Sequence, residues 1–293
     1  MPTHAAVRGS CRGSTDVGLF RPHLELEPPL PPATSRRMAM ATWHRYEQNP
    51  QAYVALDLDV TKLVATLEGR RARGERVTLT HAFAAIVGRL LRLVPELRSI
   101  VRGDRIYPRR HISLLVQVAV TRDHLSAHVL DAPDARTPSE IARELDEAVA
   151  TMRGEAKDAY AKTNVLVDRL PLPVLAWLLR FIGTWAYRWN LSPRIFGLRD
   201  DPYGAMRLNN LGALGIDDAI GPFVDWMQSP GTFVMMRVRD ELESRGDAIV
   251  TRKKLRLWCA VDHRLMDGGA YPRARRALDA FLDAPEALWE PKP

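Results

Sequence analysis

The sequence predicts an α/β layered domain. Three observations carry that expectation. Segments with the period of a strand alternate with segments of helical period along most of the chain. The run Ile112 to Val120 is almost wholly apolar, as a strand covered on both faces would be. No internal repeat is present.

Residues 1 to about 35 show no periodic pattern and end in Pro28-Pro29-Leu30-Pro31-Pro32, a composition that favours a poorly ordered, extended N-terminal arm. The folded domain is expected over 36–293. Val54, Leu56, Leu58 and Val60 alternate with Ala55, Asp57 and Asp59, which predicts a half-buried strand followed by a helix from Thr61. Thr80 is the expected N-cap of a helix whose apolar positions Phe83, Ile86, Val87, Leu90, Leu91 and Val94 keep the helical period up to Pro95. Thr137-Pro138-Ser139-Glu140 combines a capping threonine, a first-turn proline and a reciprocal glutamate ahead of a second amphipathic helix. Toward the C-terminus we expect a turn at Asn209-Asn210-Leu211-Gly212, strands over 232–238 and 255–261, and a closing helix over 270–282.

Composition excludes several function classes. The chain has 293 residues, 42 Lys plus Arg against 35 Asp plus Glu, and a net charge of +7. That balance attracts anions in general. There is no long basic block and no zinc-finger spacing, so nucleic acid is not an expected partner. Cys11 and Cys259 are the two cysteines; a disulfide framework is not expected, and Cys259 reads as a small core residue. Arg8 and Arg12 precede no continuous apolar run, so no secretory signal is read, and the expected location is the cytoplasm.

The chemistry concentrates at Asp262-His263-Arg264-Leu265-Met266-Asp267-Gly268-Gly269. A histidine at the end of a buried strand can be held in one tautomer, which leaves the other ring nitrogen free to accept a proton near neutral pH. The glycines allow a tight turn and close approach of a ligand. A surface histidine ahead of a helix start accounts for the isolated pattern equally well. A metal site at His263 and Asp267 would need further ligands that the sequence does not cluster, so no metal is expected.

This segment resembles the active-site motif of the acyltransferase components of 2-oxoacid dehydrogenase complexes, of the chloramphenicol acetyltransferase-like superfamily. Val118-Ala119-Val120, Val129-Leu130-Asp131-Ala132, Ser139-Glu140-Ile141-Ala142-Arg143-Glu144-Leu145 and Leu208-Asn209-Asn210-Leu211-Gly212-Ala213-Leu214-Gly215 are similar to the same family and lie in its order. The resemblance covers roughly residues 36–160 and 203–285. It implies an α/β chloramphenicol acetyltransferase-like two-layer sandwich, a mixed sheet with flanking helices. It also implies a trimer in which His263 faces the neighbouring subunit. In the implied mechanism His263 Nε2 deprotonates an acceptor that attacks an acyl thioester. Asp267 would form a structural ion pair with Arg37, Arg36 and Arg45 being competitors; an aspartate that simply starts a helix is the plainer reading.

Three features depart from the family. Asn209 stands where the family has a Ser or Thr that binds the oxyanion; its amide is also a donor, though Asn209 and Asn210 could merely shape a turn. The tail of about 35 residues is too short for a lipoyl or subunit-binding domain, which argues against the core of such a complex and for a stand-alone enzyme. Coenzyme A or an acyl carrier protein is then the expected thioester co-substrate, with no bound cofactor and a small molecule or lipid as acceptor. The third departure is an apolar and basic insertion at about 165–200. Within it Leu170 to Arg199 contains no acidic residue, three of the seven tryptophans, and Arg180, Arg188, Arg194 and Arg199.

A helix over 174–191 would place Arg180, Thr184 and Arg188 in one stripe, with Trp177, Trp185 and Trp189 among the apolar positions. That suits a cover over an acyl chain, a peripheral membrane contact, or a helix packed within the oligomer. Two arginines interrupt a stretch barely long enough to span a bilayer. The alternative to an enzyme is a non-catalytic trimeric scaffold, for which Asn209 is the hint.

Overall fold

The computed structural model describes residues 22–30, 50–103, 105–121, 124–155, 171–221, 228–266 and 269–290. Its centre is a six-stranded mixed sheet with the order β1-β8-β7-β6-β4-β5. The strands are β1 (Gln51–Asp59), β4 (Ser113–Thr121), β5 (His124–Asp131), β6 (Met206–Asn210), β7 (Gly231–Arg245) and β8 (Ala248–Asp262). Neighbouring pairs are antiparallel except β4 with β6 and β6 with β7, which are parallel. A two-stranded ribbon, β2 (Ser99–Arg102) and β3 (Arg105–Pro108), stands beside it.

Four helices form the second layer: α1 (Thr61–Ala72), α2 (Leu79–Leu93), α3 (Pro138–Glu155) and α5 (Ala270–Asp283). One core joins them to alternate strand residues: Leu56 and Leu58 of β1, Leu114 and Val116 of β4, Met206 and Leu208 of β6, Phe233 and Met235 of β7, and Leu255, Leu257 and Cys259 of β8. The two-layer sandwich expected from the sequence is therefore present. Strand alternation turns the remaining residues, Arg207 and Asn209 among them, to the face opposite these four helices.

Local signals explain the helix starts, with one correction. Thr137 and Glu140 form the expected reciprocal cap, Thr137 donating its N–H to Glu140 Oε2 at 2.8 Å. The cap of α2 is Thr78, not Thr80, and its reciprocal partner is His81, whose Nδ1 accepts the Thr78 N–H. A histidine completes this box, so a search for Ser/Thr followed by Glu/Gln passes over it.

Residues 22–30, placed by the sequence in the loose arm, are held as a strap. Glu27 and Leu30 donate to the carbonyls of Pro108 and Ile106, and His23 donates to that of Asn190. Leu24 is buried with Ile100, Ala186 and Tyr187. Backbone pairing to the open side of β3 fixes this Pro-rich stretch where helix or hairpin propensity could not.

The C-terminal strands are longer than their apolar patterns. β7 and β8 continue as a hairpin with Gly246 at its tip in the left-handed region (φ 60°). Lys253 and Asp240, opposite each other in the ladder and 3.1 Å apart, support the register of this polar extension.

Candidate active site

The candidate base sits where β8 leaves the sheet. Asp262 donates its N–H to Pro230 O and His263 donates to Pro50 O, each at 2.8 Å, so the strand end is fixed on both sides. A tight turn follows, in which the N–H groups of Leu265 and Met266 both reach Asp262 O. The Asp262 carboxylate is buried and accepts from Arg264 N (2.9 Å), Nε (3.0 Å) and Nη2 (2.5 Å). Leu265 packs on Ile106 of the ribbon, and Met266 enters the main core. Burying these two flanking side chains leaves the His263 ring exposed at the surface.

Within this turn His263 Nδ1 lies 3.1 Å from Met266 O. A carbonyl oxygen can only accept, so the ring proton belongs on Nδ1 and Nε2 keeps its lone pair. The sequence identified the histidine. It did not identify the Asp262–Arg264 pair or Pro50, although the charge pattern around His263 carried the signal for the pair. Asp267, Gly268 and the arginines Arg36, Arg37 and Arg45 lie outside the described residues, as does Cys11. Cys259 is buried in the core, and burial pushes its thiol pKa well up. Among the described residues no group of three or more His, Cys, Asp or Glu could hold a metal ion.

Asn209 and Asn210 end a strand rather than forming the expected turn, paired with Val234 and Met235 of β7. Strand alternation sends them to opposite faces. Asn210 points toward the helices, where Nδ2 donates to Thr80 Oγ1 at 2.8 Å and Oδ1 accepts from Ala213 N at 3.0 Å. It thus ties β6 to the first turn of α2 and shapes the bend that follows. Asn209 points to the opposite face, beside Gly221, and its Oδ1 is buried without a hydrogen-bond partner among the described residues. Gly212 makes this corner possible, because a Cβ there would meet Met236 O at 2.3 Å.

The two candidate groups do not meet within one protomer. Asn209 is level with Val234, which is level with Trp258. His263 lies five residues beyond Trp258 and two strands across, so the strand rise and spacing put the residues about 19 Å apart. A cavity of about 290 Å³ beside Asn210, lined by Thr78, His81, Gln117 and Asp146, opens on the helix side, away from Asn209.

The aromatic segment lies elsewhere again. Its helix, α4 (Leu172–Gly183), is shorter than expected and continues into a π-helical turn, Thr184–Arg188. The uninterrupted α-helix expected over 174–191 is therefore replaced by an α-helix and a wider π turn. Thr184 Oγ1 donates to Arg180 O. The turn packs beside Tyr203, before β6 begins, whereas Asn209 is near the far end of that strand. Trp177 and Trp185 therefore do not border Asn209 in the protomer. Proximity in sequence misled because β6 carries the chain away from the helix.

Beneath α4 is a polar cluster that the sequence did not single out. Arg109 is fully buried, with Nε 3.2 Å from Asp201 Oδ2 but not aligned as a hydrogen bond, and Nη2 donating to Gln228 O. Asp201 accepts from Ser113 Oγ (3.2 Å) and Tyr187 Oη (3.4 Å), and its N–H donates to His23 Nδ1 (3.1 Å). Burial depresses the His23 pKa to about 4.

Residues 30–159 match the family model of the 2-oxoacid dehydrogenases acyltransferase catalytic domain. The chain is 22% identical over 244 residues to the lipoamide acyltransferase component of the branched-chain alpha-keto acid dehydrogenase complex of Bacillus subtilis (strain 168). That alignment covers 81% of this chain and 48% of the relative, so the chain spans about half the relative's length. The cubic core of a pyruvate dehydrogenase multienzyme complex superposes with a TM-score of 0.59 at 17% identity, covering 99% of this chain and 100% of that one. Dihydrolipoamide acetyltransferase of Azotobacter vinelandii gives 0.59 at 19% identity, covering 90% and 100%; a serine and a histidine and asparagine four positions apart have been investigated there for roles in catalysis. The chain thus resembles the catalytic domain of dihydrolipoamide acyltransferases in sequence and shares their fold.

Proposed function

We propose that the protein is an acyltransferase in which His263 Nε2 removes a proton from an acceptor thiol, hydroxyl or amine, and that acceptor attacks the carbonyl of an acyl thioester. The observation that carries this reading is the contact of His263 Nδ1 with Met266 O on an otherwise exposed ring. It holds the imidazole in the tautomer a general base requires. The tetrahedral oxyanion would be met by the side-chain amide N–H of Asn209. Collapse of that intermediate expels the thiolate, which takes the proton back from His263.

We take His263 and Asn209 to come from two copies of the chain, a reading supported by their separation of about 19 Å within one. This supports a homo-oligomer, for which the resemblance implies a trimer. The basic charge favours an anionic thioester carrier, coenzyme A or an acyl carrier protein. Asp267 and Arg37 are proposed as a structural ion pair behind the histidine.

The test is acyl transfer from a panel of coenzyme A and carrier-protein thioesters by His263→Ala, by Asn209→Ala, and by a mixture of the two refolded together. Recovery of activity in the mixture places the two groups on different copies. Transfer by His263→Ala equal to wild type would remove the base. Absence of transfer from every thioester by the wild type would favour a non-catalytic trimeric scaffold.

A further inference from the structure

We propose that α4 and the π-helical turn after it form a docking surface for an anionic lipid bilayer, holding the protein peripherally at the membrane. The apolar character of α4 is not spent on the protein's own core. From Pro173 to Ile182 no residue is buried; Trp177 is 64% and Val174 47% exposed. Trp189 and Ile195 extend this surface at 53% and 39% exposure. Soluble surfaces rarely leave so contiguous an apolar patch uncovered.

The aromatic rings form a continuous ridge. Trp177 stacks on Phe181 at 5.4 Å between centroids, and Phe181 in turn meets Trp185, Trp189 and Phe196 at 6.1, 6.4 and 6.2 Å. A ridge braced ring against ring keeps its shape without a protein partner.

Charge decides which partner fits. Leu170 to Arg199 contains no acidic residue. Arg194 is paired with Asp200 and Arg199 with Asp131, but Arg180 and Arg188 are exposed and have no acidic partner among the described residues. Arg180 lies three residues from Trp177, on the same side of the helix, and Arg188 adjoins Trp189. Tryptophans beside exposed arginines match the boundary between acyl chains and anionic headgroups, where rings enter the interface and guanidinium groups meet phosphate. No helix among the described residues is long and apolar enough to cross a membrane, so the contact lies in the interface plane. An acyl-chain cover is the weaker alternative, because α4 lies away from Asn209 in the protomer and displays exposed arginines beside its rings.

The base of the helix is fixed to the body as such a contact requires. Ala186 and Tyr187 are buried, Arg102 Nη2 donates to Tyr187 O at 2.9 Å, and Trp185 Nε1 donates to Ser192 O at 3.2 Å. Asn190 exchanges two hydrogen bonds with Leu24 of the strap. The exposed end of α4 is therefore carried on a rigid foot.

The experiment is co-sedimentation of the full chain with vesicles of phosphatidylcholine alone or containing phosphatidylglycerol, together with tryptophan quenching by brominated lipid. Binding to the anionic vesicles, release by high salt, and quenching are expected. Arg180→Glu with Arg188→Glu should weaken partitioning at least about tenfold, and Trp177→Ala should weaken it with the charges intact. Circular dichroism and thermal melting confirm that each variant is folded. Because the wild-type quenching needs no variant, a misfolded mutant does not rescue the idea. Equal binding to both vesicle types, no binding to either, or loss of self-association in the variants without vesicle binding would each overturn it. None of these readouts depends on acyl transfer.

Discussion

The His263 corner and the α4 region are both built on short buried anchors, yet they leave opposite things exposed. At the corner, backbone bonds to Pro50 and Pro230 and the Asp262–Arg264 pair hold a small turn, and the surface receives one imidazole with a fixed tautomer. At α4 the anchors lie only at the C-terminal foot, and the surface receives a ridge of rings and two arginines. The first arrangement suits chemistry, which requires an atom in one place. The second suits adhesion, which requires area and charge but little positional accuracy.

The sharpest way to break this contrast is to remove the group each region displays. His263→Ala should lower acyl transfer by about a hundredfold to ten-thousandfold, the range of general-base catalysis, with an unchanged melting temperature and oligomeric state. A comparable fall in stability would recast His263 as a packing residue.

Removing an anchor tests rigidity instead. Asp262→Ala removes the buried carboxylate that ties Arg264 to the turn and should cost about 3 kcal/mol in chemical denaturation, with activity lost because the turn behind His263 loosens. An active, equally stable variant would show that the backbone bonds alone hold the corner.

The foot of α4 has its own signature in pH. His23 is neutral in the fold, with a pKa depressed to about 4 against 6.5 for an ordinary histidine. The unfolded chain therefore binds more protons between those values. Stability from this group is complete above about pH 6.5 and declines as pH falls toward 4, a loss of about 3 kcal/mol at one pKa unit per 1.4 kcal/mol. His23→Gln should flatten the denaturation profile across that window; an unaltered slope would place the acid sensitivity elsewhere.

The smallest expected effect is at the exposed tip. Trp177→Ala should change folding stability by no more than about 0.5 kcal/mol, because its ring meets Phe181 but is mostly in solvent. A large loss would mean that the ridge packs against protein.

Periodicity made much of this molecule legible. β1, α2, α3 and α5 follow from apolar spacing and capping residues, and they supply most of the helix-covered core. The hairpins β2 with β3 and β4 with β5 were harder: Gly103 was the available turn signal for the first, and the sequence offers no glycine or proline between Thr121 and His124 for the second. In the site, His263 was readable because its glycines and strand are contiguous with it. The face chosen by Asn209 was not, because a turn and a strand end share the same residues, and only pairing with Val234 decides which side each amide faces. The strap at 22–30 escaped notice for a similar reason: proline content describes its freedom in isolation and not the carbonyls of β3 that bind it.

The order in which the sheet is assembled sets a constraint on synthesis. Leu58 of β1 lies opposite Leu255 of β8, and β6 is inserted between β4 and β7, so the strands at the middle of the sheet are the last to leave the ribosome. Until they emerge, β1 has no neighbour and α1 and α2 have only part of a surface to cover. Nascent chains stalled before β7 should therefore expose apolar faces and depend on chaperones, while chains released after α5 can close the sheet in one cooperative step.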